Sequence, residues 1–378
     1  MPPRVLLLAG LAVGCGAAGS GPLAPVPAVE ECLLRSGEVT RPHTLLAAAD
    51  GRDTLLLASA RRHTPLGLSC TGRPLPRVAS AWSADSSRTT WTLVLPAAAE
   101  LATRWRERPE AVAVLRLAGV TAVLPIDERR LAVSFRSAQD TVPQLFADPA
   151  LAAASGAADR PSLQILPSTG PDLRDALDRG ADIVVTADPA VLDYAATRPG
   201  LTPHALPWNR TYVLLAPGRP VPIGFGGDSA GFRQALARDA VRVAARGAEP
   251  PFWWEETAGC ARAPARLGPP VPAVVYPRGD PVARALAERI VAMAEARGTV
   301  ARGVPDGELA AAIAGGAASG YVVSLPRVAL VPCRELAAWP AGASALPLID
   351  TRPTAVLAAG IPPLLVEYDG GLLPAERP

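Results

Sequence analysis

From Leu163 to Pro217 short apolar runs alternate with segments of helical period. Leu163 to Leu166 is apolar and of strand length. Pro171 to Arg179 puts Leu173, Ala176 and Leu177 on one helical face, and Gly180 can stop that helix. Ala181 to Thr186 (ADIVVT) is rich in β-branched residues and short, which predicts a buried parallel strand. Asp188 then caps a helix with Pro189 at its first position, and Pro199-Gly200 ends it. Thr211 to Leu215 (TYVLL) predicts the next strand. Parallel strands joined by crossover helices make an open α/β sheet, and ligands bind at the carboxyl edge of such sheets.

The flanking pattern extends this reading. Trp91, Leu93 and Leu95 alternate with polar positions, as in a half-buried strand. Pro96 to Arg108 reads as helix. Val120 to Ile126 and the apolar positions Leu131, Val133 and Phe135 flank the polar turn Asp127-Glu128-Arg129-Arg130, which predicts a hairpin. In the second half, Ala273 to Tyr276 is a strand and Asp280-Pro281 starts a helix. Val282, Leu286, Ile290 and Met293 mark one face of that helix, and Gly298 ends it. A short helix around Leu309, Ala312 and Ile313 precedes the strand Tyr321 to Ser324. Pro347 to Leu357 and Leu364 to Gly370 are expected as closing strands.

Length and composition allow two domains in 378 residues. Arginine supplies all 37 basic residues, and the net charge of +2 with interspersed signs gives no electrostatic footprint for nucleic acid. The N-terminus changes the picture more. Arg4, the apolar run Val5 to Val13 and Gly14-Cys15 form an export segment too short to span a bilayer. Leu11-Ala12-Val13-Gly14-Cys15 resembles a bacterial lipobox, which makes Cys15 the lipidated first residue of the mature chain. The alternative is an ordinary secretory signal cleaved nearby. Residues 16–29 then form a tether rich in Gly, Ala and Pro. The other four cysteines, in an exported chain without a CxxC, predict disulfides rather than a zinc site. Of the three pairings, Cys32–Cys70 with Cys260–Cys333 suits best where the elements fall.

A family resemblance rests on the order of weak motifs. The order PL…GRPLPRVASAWSAD…TTWTLVL…VLPIDERRLAVSFRS, then ADIVVT and PWNRTYVLLAP, resembles the first lobe and hinge passage of the family 5 extracellular solute-binding proteins. Gly231-Phe232-Arg233-Gln234-Ala235-Leu236-Ala237 resembles a helix of that family's second lobe. The resemblance implies a two-lobed periplasmic-binding-protein fold, a shortened and divergent type II-like α/β arrangement of mixed sheets with flanking helices. Its expected divisions are lobe I over 30–226, lobe II over 227–330, and a return to lobe I over 331–378. It implies a monomer that captures a small solute, peptide-like or other, and delivers it to the permease of a membrane ABC transporter at the periplasm or cell surface. No cofactor, metal or catalysis is implied. After the strand ending near Ser324, where the family has a tryptophan and acidic residues that hold ligand, this chain reads Leu325-Pro326-Arg327-Val328-Ala329-Leu330. The ligand class therefore does not carry over.

Two signals carry candidate chemistry. Gly227-Asp228-Ser229-Ala230-Gly231 matches G-x-S-x-G, the nucleophile elbow of a serine esterase. An elbow needs a later histidine, and His43, His63 and His204 all precede Ser229. A Gly-rich hinge loop leading into a helix is the better account. The aromatics, only 4% of residues, cluster near the expected hinge. Trp208, Asn209 and Arg210 lie before it, and Trp253, Trp254 and Glu255 after it. They read either as core packing or as the lining of a cleft. Arg210 either forks onto a ligand carboxylate or bridges to an acid such as Asp188. A third reading is a structural envelope lipoprotein that keeps the fold without transport.

Overall fold

The computed structural model describes residues 32–40, 44–49, 63–153, 162–166, 172–217, 229–239, 244–255, 257, 260–264, 271–293 and 298–375. The chain begins with β1 (Leu33–Leu34), β2 (Thr44–Ala49), β3 (Leu66–Leu68), β4 (Pro74–Pro76), β5 (Ala81–Ala84) and β6 (Thr90–Val94). Helices α1 (Ala98–Glu107) and α2 (Pro109–Leu117) follow, then β7 (Val120–Pro125) and β8 (Arg130–Phe135). Next come β9 (Ser162–Ile165), α3 (Arg174–Asp178), β10 (Ile183–Thr186), α4 (Pro189–Ala196) and β11 (Leu201–Ala205). The chain then makes β12 (Arg210–Ala216), α5 (Ser229–Asp239), β13 (Ala244–Gly247), β14 (Val271–Pro277), α6 (Pro281–Met293) and β15 (Val300–Val304). After α7 (Leu309–Gly315) come β16 (Ala318–Pro326), α8 (Pro332–Leu336) and β17 (Ser344–Arg352). It ends with β18 (Thr354–Ala358), β19 (Leu364–Val366) and β20 (Leu372–Pro374).

Two mixed sheets organise two lobes. The first lobe holds a five-stranded sheet in the order β11-β18-β10-β2-β9. Its centre is β10, whose four residues are all buried. It runs parallel to β2 and antiparallel to β18. Asp188 caps α4 as expected, its side chain accepting a hydrogen bond from Ala190 N. The antiparallel meander β5-β6-β8-β7 is tied to this lobe through β3 and β4: Leu66 lies in the meander's core, Ser69 bridges to Glu367 beside β19, whose Val366 is in the core of the five-stranded sheet, and Arg77 reaches Glu367 at 3.1 Å. The meander's inner face packs on α1 and α2 around the fully buried Trp105, whose indole N–H donates to Leu151 O at 2.9 Å. The second lobe is a six-stranded sheet, β13-β17-β12-β16-β14-β15. One of its faces is covered by α6 through Leu286, Ala287 and Ile290. Asp280 begins α6 by accepting from the N–H groups of Val282 and Ala283, as its Asp-Pro start predicts. Disulfides join Cys32 to Cys70 and Cys260 to Cys333, the expected pairing.

The strands change sheet at places other than the sequence boundaries at 226 and 330. The strand Thr211 to Leu215, expected beside ADIVVT in one parallel sheet, lies in β12 of the second sheet, antiparallel to β16 and β17. Between them sits β11, a strand for which the sequence pattern gave no expectation. An edge position frees Pro203 from supplying a ladder donor, so the proline is tolerated. The expected strand Pro347 to Leu357 is two strands broken at Pro353. Its first part, β17, pairs with β12 and its second, β18, with β10 and β11. The passage between the lobes is therefore at residues 206–209 and 353. The Gly- and Pro-rich run Pro217 to Gly231 leaves β12 within the second lobe, and its residues 218–228 lie outside the described residues.

Candidate functional site

Where the chain passes from one sheet to the other, two strands travel side by side. Leu206 N donates to Pro353 O at 3.1 Å, and Asn209 N donates to Thr351 O at 3.2 Å. Leu206 packs into the first lobe's core. The Asn209 side chain is buried, and its Nδ2 donates to Asp369 O at 2.9 Å in the turn between β19 and β20. Each crossing strand is thus anchored in both lobes.

Beside this passage two guanidinium groups approach the Trp208 ring. Arg246 stands 4.6 Å from its centroid and Arg352 stands 4.4 Å from it. Cation–π attraction holds all three side chains. Arg246 also reaches Asp350 at 3.3 Å and Glu249 at 2.7 Å. Asp350 is fully buried and heavily bonded. It accepts from the Thr211 hydroxyl at 2.6 Å, from Arg327 Nη1 at 3.3 Å and from Glu249 N at 3.3 Å. Two cations and two neutral donors thus surround this buried carboxylate. Sequence reading missed Asp350 and its arginines. The available signal was an acid directly after the apolar run Leu346 to Ile349.

Arg210 lies across the sheet from Thr351 and Pro326. Its Nη1 donates to Ser324 Oγ at 3.2 Å. Neither Arg210 nor Arg352 has a carboxylate partner among the described residues. The expected bridge from Arg210 to Asp188 is absent among the described residues. The second aromatic group meets the first at Pro326, whose carbonyl accepts from Trp253 Nε1 at 2.8 Å. Trp254 is buried, stacked on Phe252 at 4.9 Å with Trp253 edge-on at 5.5 Å. Glu255 is exposed in the turn Trp253–Glu255. The structure thus brings Arg210 and Trp253 to one end of the sheet, with Trp208 beside Arg246 and Arg352 and Trp254 in the core.

Ser229 begins α5, and its side chain and the preceding Gly227 and Asp228 lie outside the described residues, as do His43 and Cys15. Helix α5 packs through Leu236 against the second lobe's core. His204 sits in β11 of the other sheet, its Nε2 buried without a partner, and burial lowers its pKa below 6.5. Among the described residues no group of three or more His, Cys, Asp or Glu is placed to hold a metal. A surface depression of about 540 Å³ lies on α1, lined by Glu100, Thr103, Arg104 and Arg108 among others. It is on the meander side of the first lobe, and its paired charges solvate a helix face rather than complete the crossing.

No protein-family model and no curated protein matches the chain. Solved structures do. A dipeptide-binding protein from Pseudoalteromonas sp. SM9913, in complex with Met-Leu, is 10% identical with a TM-score of 0.58 over 87% of this chain and 98% of its own. AgaA from A. tumefaciens R10, in complex with agropinic acid, is 10% identical with a TM-score of 0.57 over 88% and 99%. NikZ from Campylobacter jejuni, in complex with Ni(L-His), is 9% identical with a TM-score of 0.51 over 84% and 94%. This chain has the two-lobed, mixed α/β fold of the family 5 solute-binding proteins.

Proposed function

We propose that the protein is an extracytoplasmic solute-binding lipoprotein that captures a small solute between its lobes and delivers it to an ABC-transporter permease. The observation that carries this reading is the pair of crossings at 206–209 and 353, beside which Arg210 has no acidic partner among the described residues. Lobes joined by two short strands can close on a ligand by hinge motion. A guanidinium fork without a carboxylate at that place is suited to an acidic solute. The similar structures support the class, since their complexes hold the dipeptide Met-Leu, agropinic acid and Ni(L-His). The protein works as a monomer held to the membrane by lipid on Cys15, with Asn209 and Trp253 shaping the cleft and Trp208 positioning Arg352. Ser229 has no catalytic role in this reading, because every histidine precedes it.

Thermal-shift screening followed by calorimetry tests the reading, with dipeptides, agropinic acid and nickel–histidine as probes. A carboxylate-bearing probe should bind, and Arg210→Ala should weaken it about tenfold or more, the loss of one buried charge-assisted bond. If Arg210→Ala leaves affinity unchanged while lowering the melting temperature, Arg210 is structural and the site assignment fails.

A further inference from the structure

The lobes meet at a third place, through a short strap between β16 and β17. Strand β16 ends at Pro326 in the second sheet. A few residues on, Val331 is fully buried in the core of the first lobe's meander, among residues such as Trp105, Val114 and Leu151, with Leu330 packed beside it. Immediately afterwards Leu336 and Trp339 are buried in the second lobe's core with Val213, Trp254 and Val323. The chain thus leaves one core, enters the other through Val331 with Leu330 beside it, and returns.

Three further contacts fix the excursion. Arg334, at the middle of α8, reaches Asp148 Oδ2 at 2.8 Å. Asp148 is buried to 3% side-chain exposure, and its other oxygen caps the turn Pro149–Leu151 by accepting from Ala150 N. On the other side, the Cys260–Cys333 disulfide and the hydrogen bond from Ala263 N to Trp339 O tie the strap to the second lobe. Its root therefore moves with the second lobe while Val331 and Arg334 hold the first. Rotation about the two crossings cannot part the lobes on this side unless Val331 leaves its apolar site and Asp148 loses its guanidinium.

We infer that the strap 327–339 is a clasp, and that its release from the meander is the step that opens the lobes. The clasp works with or without a solute, so it stands apart from the identity of any ligand. Val331 supplies a non-directional apolar hold. The Asp148–Arg334 pair supplies direction, because a buried carboxylate stripped of its partner is strongly disfavoured.

Hydrogen exchange on the full, unaltered chain tests the inference directly. Amides of 330–336 and 145–151 should exchange together, through an opening less costly than the global unfolding that frees β6 and β12. Arg334→Ala, and Asp148→Asn, which keeps the capping oxygen, should each raise exchange in those two segments about tenfold or more. Small-angle scattering of the same variants should show a larger radius of gyration. Exchange of the strap only through global unfolding in the unaltered protein would overturn the clasp. So would variants whose exchange and scattering match the unaltered chain.

Discussion

At the scale of single residues the end of the second sheet is governed by Asp350. Its carboxylate is fully buried and answers Arg246, Arg327, Thr211 and the Glu249 amide together. Removing one member of a buried ion pair strands the rest, at a cost of about 3–5 kcal/mol. Asp350→Ala should therefore lower unfolding stability by about that amount in urea titrations, whereas Asp350→Asn, which keeps an acceptor for Thr211, should cost less. A loss within about 0.5 kcal/mol, the range of an ordinary surface change, would mean the network is not structural. His204 gives a pH signature of definite sign. Burial depresses its folded pKa below 6.5, and its Nε2 has no partner. The neutral imidazole is then favoured by the fold. Its contribution is whole above the unfolded pKa and is lost as pH falls below 6.5 through the lowered folded value. His204→Leu should flatten the fall in urea midpoint between about pH 7 and about pH 5 relative to the unaltered chain. An unchanged slope would show that the imidazole is solvated in the fold.

Elements were legible in the sequence where their signals are local. Asp188-Pro189 and Asp280-Pro281 announced α4 and α6, because a side-chain cap and a fixed proline φ act within one turn. The alternation of Trp91, Leu93 and Leu95 marked the buried face of β6 and the residue after it, since period two reports which side meets a core. Sheet membership was not legible, because pairing is set by partners far along the chain. Thr211 to Leu215 is as apolar as ADIVVT, and nothing within it tells that it joins β16 and β17 rather than β10. A linker was read into Pro217 to Gly231 from its composition. The passage at 206–209 and 353 is instead held by ordinary ladder bonds and two prolines, Pro207 and Pro353. The candidate site was partly legible for the same reason. Trp208, Asn209 and Arg210 stand at the passage, as their place before a strand indicated. Arg246, Arg327 and Arg352 come to it from three other strands or their ends, which local sequence does not foretell.

At the scale of the whole molecule, the described residues include no helix long and apolar enough to cross a membrane. Membrane attachment therefore has to come from elsewhere if the proposed partnership with a permease is to work at short range. The proposed export segment, Arg4, Val5 to Val13 and Cys15, would supply a means. Between Cys15 and the first disulfide, at Cys32, the residues are rich in Gly, Ala and Pro. Lipid on Cys15 would leave both lobes free to rotate about their crossings while keeping the pair near a membrane. Lipid chains hold a protein through buried methylenes, each worth about 0.8 kcal/mol, so more than one chain is needed for stable anchoring. The chain expressed with its export segment in a bacterial host should therefore fractionate with membranes. Mass spectrometry of its N-terminal peptide should find Cys15 as the first residue, carrying acyl mass. Cys15→Ser should release the protein into the soluble extracytoplasmic fraction with both disulfides and the fold intact. A mature chain that starts elsewhere, unmodified, and stays soluble would refute the anchor while leaving the two-lobed fold and its crossings untouched.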